Sequence, residues 1–234
     1  GCGMVGSASA YALVMSGVFS GSGNLSVNSG AGAIAMTNAG NDFGGIVSLS
    51  GGATQINDVN GLTLGTLNTG ALTATSHGAL NLGSGVAASL NAASNGGAIT
   101  QAGALSVAGT STLNAGAGAV TLTHANNDFG GAVSLTGGTT QINDLNGLAL
   151  GTLNTGALTA TSHGALNLGS GIAASLNAVS NGGAITQAGA LNVAGTSTLN
   201  AGAGDILLTQ AANNFAGAVA LTGANVQLTN NAAL

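Results

Sequence analysis

The stretch NDFGGAVSLTGGTTQINDLNGLALGTLNTGALTATSHGALNLGSG, residues 127–171, decides the fold. It breaks into short pieces: AVSLTGG from Ala132, LALGTLNTG from Leu148, ALTATSHG from Ala157 and ALNLGSG from Ala165. Each places aliphatic residues at alternate positions and closes on Gly with Ser, Asn or Thr. In AVSLTGG, Val133 and Leu135 point one way while Ser134 and Thr136 point the other, the period-two alternation of a strand. The Gly pairs are read as suppliers of the positive φ angles that corners require. A helix competes poorly, since each Gly in a helix interior costs about 1 kcal/mol against Ala.

Outward from this stretch the sequence repeats. NDFGG begins at Asn41 and returns at Asn127, and the variant NNFAG begins at Asn213. Phe43, Phe129 and Phe215 are therefore 86 residues apart, twice. Residues 41–118 align with 127–204 without a gap and differ at eight positions, for example Val86 against Ile172. The repeats run approximately 1–40 (partial), 41–126, 127–212 and 213–234 (partial), within one continuous unit, 1–234. Neither end reads as the polar cap a solenoid normally carries, so a slice of a longer array, or a chain stacking end to end, is expected.

A solenoid fits these repeats better than a sandwich. Sandwich hairpins favour two-residue Asn-Gly or Asp-Gly turns and longer strands, whereas strands of four or five residues and irregular Gly-rich corners are expected here. A near-identical 86-residue repeat implies translation along an axis. The candidate core residues Ala, Val, Leu and Ile are thin enough for walls about 10 Å apart. The fold read is therefore all-β, a right-handed parallel β-helix (β-solenoid). At roughly 20–22 residues per coil it has about four coils per 86-residue repeat, and the chain is on the order of 50 Å long at about 4.8 Å per coil. Ten strand-like pieces per unit do not divide evenly into three-sided coils.

Composition excludes several classes. The chain has no Lys, Arg or Pro, and 2% of its residues are charged, so nothing neutralises phosphates and no nucleic-acid partner is expected. At 45% hydrophobic residues, the chain buries surface as disordered chains cannot. The longest apolar stretch, near Tyr11–Phe19, falls short of the ~20 residues of a membrane helix, and 2% aromatics give no girdle for a transmembrane barrel; no membrane span is expected. Cys2, the single Cys, reads as an incidental terminal thiol, with lipidation as the functional alternative. Like-charge ladders repel at coil spacing, and Pro removes a ladder donor, so the missing residue types are those that dense stacking rejects.

Strings such as GAGAVTLTHANNDFGGAVSLTGG (Gly116–Gly138) and NGLALGTLNTGALTATSHGALNLGSG (Asn146–Gly171) resemble filamentous-haemagglutinin-like exoproteins, the β-helical passengers of two-partner secretion and related autotransporters. The resemblance implies a right-handed β-helix exported through an outer-membrane pore and acting at the bacterial cell surface or outside it, in adhesion, aggregation, biofilm matrix or toxin display. The amino-terminal secretion domain of that family is not recognisable, and the total absence of Lys and Arg is more extreme than the family pattern.

Little chemistry is read in the repeats. Asp42 and Asp128 are equivalent, with Asn214 third; Asp58 and Asp144 are equivalent, with Asn230 third; Asp205 stands opposite Ala119 and Ala33. Carboxylates several coils apart form no acid–base pair, and each reads as a solvated turn Asp bonding local backbone. His77 and His163 are equivalent, while His124 faces Asn38 and Gln210, which points to surface hydrogen bonding. No converging ligand set for a metal is seen, and no catalytic residue, cofactor or metal is assigned. The repeat markers Asn41, Phe43, Asn127, Phe129, Asn213 and Phe215 are the clearest feature. Their Phe rings either plug a wide coil or form an exposed docking row.

Three functions follow. The first is a structural or adhesive extracellular rod or filament subunit of a bacterial exoprotein, self-associating or meeting a host surface or matrix polysaccharide. The second is an ice- or carbohydrate-binding module, hinted at by Thr121/Thr123 and Thr159/Thr161. The third is a polysaccharide-degrading β-helix, disfavoured by the missing charged cluster. The non-enzymatic rod is the reading carried forward. Circular dichroism of the purified chain is expected to show a purely β spectrum, and helical bands would overturn the fold assignment.

Overall fold

Backbone N–H and C=O groups of a short strand need partners, and here each coil finds them in the coils before and after it. The computed structural model describes residues 3–6 and 11–231; Cys2 lies outside them. Among the described residues every regular element is a strand, from Gly3–Gly6 to Val226–Leu228, and every strand pair is parallel. Among the described residues no helix is long and apolar enough to cross a membrane.

One stack joins Leu67, Gly85 and Leu105, and Val107 with Phe129, and two longer columns of stacked strands run along the axis. In the first, Leu13 pairs with Ile34, then Thr54, Leu72, Leu90, Ser111 and Val133 in succession. In the second, Leu25 pairs with Val47 and Val47 with Leu64. That column continues through Leu62, Leu80, Ile99, Val120, Thr140 and Leu158. About eleven coils result. Bonds joining matching points of neighbouring coils span 18 residues at the short coils (Thr66 N–H to Ser48 Oγ) and 22 at the long ones (Ile46 N–H to Asn24 Oδ1).

The 86-residue repeat does not close on a whole number of coils. Going up the chain, the columns are visited alternately at Leu13, Leu25, Ile34, Val47, Thr54, Leu64, Leu72, Leu80, Leu90 and Ile99. Leu13 and its repeat equivalent Ile99 thus stand nine crossings apart, in opposite columns. The same exchange takes Leu25 to Ser111, Ile34 to Val120 and Val47 to Val133. One repeat is therefore four and a half coils, and successive repeats are turned about half a turn around the axis. Ten strand-like pieces per unit failed to divide into whole coils for this reason.

The inward aliphatics form one continuous core, including Ile34, Ile56, Leu80, Ile99, Val120, Ile142 and Ile185. Strand lengths differ from the expected four or five residues. Leu62–Ser76 and Leu148–Ser162 each run fifteen residues and carry one hydrogen-bonded ladder from one column to the other. In each, two outward residues follow in succession at two places, Gly65–Thr66 and Gly70–Ala71 in one strand and Gly151–Thr152 and Gly156–Ala157 in the other; at the first of each the pairing register shifts, between Val47 and Leu49 and between Val133 and Leu135. These bulges turn the strand around the coil.

The glycine pairs also need a different account. Gly96 and Gly182 do have positive φ, at 98° and 101°, but Gly44–Gly45 and Gly130–Gly131 do not. There the requirement is coil-on-coil contact: a Cβ on Gly131 would lie 2.5 Å from the carbonyl of Gly109, and one on Gly217 would lie 2.4 Å from Gly195 O. Gly131→Ala is expected to cost about 1–3 kcal/mol through overpacking. Gly17→Ala, where an added Cβ meets nothing within 4 Å, should be neutral. Equal melting of the two variants in thermal unfolding would refute this stacking role.

Candidate functional site

The repeat markers occupy the wide half-coils. From Ile34 to Val47, Val120 to Val133 and Ile206 to Val219 the chain takes thirteen residues to pass between columns, against eight from Leu72 to Leu80. The extra width needs a large side chain, and Phe43, Phe129 and Phe215 supply it at 3%, 2% and 1% exposure. An exposed docking row is therefore ruled out. Phe43 stacks on Phe19, with ring centroids 4.9 Å apart; Phe129 and Phe215 stand over Val107 and Val193.

Each Phe is preceded by a buried Asn that saturates the irregular backbone of its loop. Asn127 Nδ2 donates to Leu122 O at 3.1 Å and its Oδ1 accepts from Leu105 N–H at 2.9 Å, on the preceding coil. Asn41 repeats this with Met36 O and Phe19 N–H, and Asn213 with Leu208 O and Leu191 N–H. The Asn carbonyls accept from the following coil, from Val59, Leu145 and Asn231 N–H. Marker loops are thus clamps that tie three coils together. Sequence reading missed one partner: Gln101 and Asn127 exchange two amide bonds, Nε2 to Oδ1 at 2.7 Å and Nδ2 to Oε1 at 2.8 Å. Gln187 and Asn213 do the same. Met15 holds the equivalent position in the first repeat. The signal lay in the AITQAG pieces, where a long amide follows the alternating strand.

The carboxylates correct another expectation. Asp58 and Asp144 are buried, at 1% and 0% exposure, rather than solvated. Asp144 Oδ2 accepts Phe129 N–H at 2.7 Å from the adjoining coil, and Oδ1 accepts Asn146 N–H at 2.7 Å; Asp58 does the same for Phe43 and Asn60. The equivalence with Asn is real, since Asn230 Oδ1 accepts Phe215 N–H at 2.8 Å. Burial pushes the Asp144 carboxyl above its ordinary value of 3.8, aided by the Asp128 charge and opposed by the Phe129 and Asn146 N–H bonds and by His163. Asp42 and Asp128 face Asn60 and Asn146 amides at 3.4 Å. Asp205 accepts from the Asn225 backbone and side chain.

The histidines are hydrogen-bonding groups, as read. His124 Nδ1 accepts Asn126 N–H at 3.2 Å, just as Asn38 Oδ1 accepts Gly40 N–H at 2.9 Å. His77 and His163 are exposed and sit on Asp58 O and Asp144 O. No group of three or more His, Cys, Asp or Glu that could hold a metal ion is found among the described residues.

The outer faces are uncharged ladders of amides and hydroxyls. In one column Thr121 lies beside Gln141, then Thr159, Asn177 and Thr198; in the other, Gln55 lies beside Thr73, Asn91 and Thr112. Threonine alternates with amides instead of recurring on every coil. A groove of about 370 Å³ is lined by Ser26, Asn28, Ser48, Ser50, Thr66 and Asn68 with Val27 and Leu49.

The family described as repeats of unknown function (DUF5649) matches residues 6–50, 69–136 and 155–222. The last two segments are offset by the 86 residues of the internal repeat. No curated protein matches, and no solved structure does.

Because burial disfavours the charged form, folded Asp144 keeps its proton to higher pH than the unfolded chain does. Folding takes up a proton in that window, so this group's contribution to stability falls as pH rises from about 3.8 through the folded value, then levels off. Asp144→Asn should remove this slope and stay within about 1 kcal/mol of the parent at pH 7, whereas Asp144→Leu, which strands Phe129 N–H, should lose roughly 2 kcal/mol. Urea titrations across pH check both; identical behaviour of the two variants would contradict the clamp.

Proposed function

We propose that this chain, which belongs to the family of repeats of unknown function, is an extracellular structural or adhesive rod of a bacterial exoprotein of the filamentous-haemagglutinin-like kind. The observation that supports this reading best is where the polar groups are spent. The buried Asn and Asp side chains and the half-buried Gln101 are engaged in coil-to-coil bonds, and among the described residues no charged cluster offers general acid–base or nucleophilic chemistry. What such a design supplies is length and persistence. Exported chains meet proteases and dilution, and a solenoid whose every coil is bonded to two neighbours resists local opening.

A second reading is favoured by a specific observation. The hydroxyl and amide ladders match the hydrogen-bonding needs of a neutral polysaccharide, whose hydroxyls require no ionic partner. In this reading the rod is also the ligand face.

Immunogold labelling of intact source cells is expected to decorate the surface or material extending from it. Label reaching the protein only after permeabilisation would overturn the extracellular role. Purified chain on an array of neutral and acidic glycans tests the second reading, for which neutral glycans should be retained.

A further inference from the structure

Asn-Gly occurs four times, at Asn60–Gly61, Asn95–Gly96, Asn146–Gly147 and Asn181–Gly182. The repeat makes these two equivalent pairs, and the structure treats the pairs differently. In the first pair, both residues are exposed at a corner outside any strand. The peptide carbonyl of Asn60 accepts His77 N–H at 2.9 Å, and that of Asn146 accepts His163 N–H at 3.0 Å. The next N–H, of Gly61 or Gly147, has no hydrogen-bond partner among the described residues. The side-chain amides make only a 3.4 Å contact with Asp42 or Asp128. In the second pair, Asn95 and Asn181 have left-handed backbones, φ 48° and 47°. Their amides are pinned at 2.9 Å to Ser76 O and Ser162 O of the preceding coil.

We propose that Asn60 and Asn146 are self-modifying sites that deamidate in the folded chain, while Asn95 and Asn181 are held back. The glycine nitrogen attacks Asn Cγ and loses its proton to solvent. The bond from Cγ to the amide nitrogen breaks, and that nitrogen leaves with a proton as ammonia. Water then opens the five-membered imide at one of its two carbonyls, giving aspartate or isoaspartate; overall one water is consumed and one ammonia released. Three features promote the step. Glycine has no Cβ to obstruct ring closure. A free N–H gives up no bond on reacting. A hydrogen bond drawn to the peptide carbonyl withdraws electron density and makes the adjoining N–H more acidic. At Asn95 and Asn181, ring closure would first have to break a good inter-coil hydrogen bond.

The product has a definite electrostatic outcome. Each event adds a negative charge to a chain of net charge −5, beside Asp42 and Asp58 or Asp128 and Asp144. A third carboxylate at one corner repels its neighbours and strains the clamp at Phe43 or Phe129. The surface thus gains charge with age at two places that the half-coil phase puts on opposite sides.

The experiment is slow incubation of the folded chain at neutral and mildly alkaline pH, followed by intact mass. A gain of one dalton per site is expected, faster at the higher pH. Cleavage with a protease that cuts before Asp, together with fragment masses, should locate the gain at 60 and 146. A urea-unfolded sample should gain at all four positions. The double variant Asn60→Gln, Asn146→Gln, shown folded by circular dichroism, should keep its mass over the same period. Equal rates at all four positions in the folded chain would overturn the proposal. So would a folded chain unchanged at 60 and 146 while the unfolded chain reacts there.

Discussion

Coil-to-coil backbone hydrogen bonding, repeated about every 4.8 Å, is the constraint to which the other features of this chain answer. Strands bonded on both edges have no room for Pro and little tolerance for stacked like charges. Where two coils approach most closely even a methyl group is excluded, as at Gly109 and Gly131. The composition that first looks impoverished, with no Lys, Arg or Pro, is a direct expression of this geometry. Corners are where the regular ladder fails, and there the polar side chains act. Asn127, Gln101 and Asp144 replace the missing backbone partners one for one.

Much of this was legible in the sequence. Alternating aliphatics predicted the inward column, and Val133 and Leu135 are indeed buried while Ser134 and Thr136 are not. The 86-residue period predicted a solenoid, and one alternative for Phe129, a plug in a wide coil, is what the core contains. Other parts were hidden for physical reasons. N-D-x-N-G reads as a solvated turn because its local bonds, such as Asn146 N–H to Asp144, are those of any surface Asx turn. The burial of Asp144 comes from a loop fifteen residues away, which local spacing does not reveal. Gln101 was likewise silent, since its partner Asn127 lies 26 residues on. Glycine was credited with backbone freedom, when at Gly131 its value is the absence of a side chain.

The clamps also account for the pattern of variation between repeats. At the Asp144 position the third copy has Asn230, which still offers an oxygen to the Phe N–H. At the His124 position Asn38 and Gln210 alternate, and Asn38 caps its turn as His124 does. From Asp144 to Asn230 and from His124 to Asn38 the hydrogen-bond acceptor persists while the charge or ring does not. The eight differences between residues 41–118 and 127–204 fall outside the Asn–Phe markers. Substitution is free where a side chain meets water and narrow where it completes a backbone bond.

The half-coil remainder makes azimuth depend on parity. Adding or losing a single 86-residue unit would change the length of the molecule and would also swing everything beyond the insertion to the far side of the axis. Adding two units would restore the original bearing. Unequal recombination among such similar units would therefore alternate the side on which any distal module is displayed, with no substitution at all.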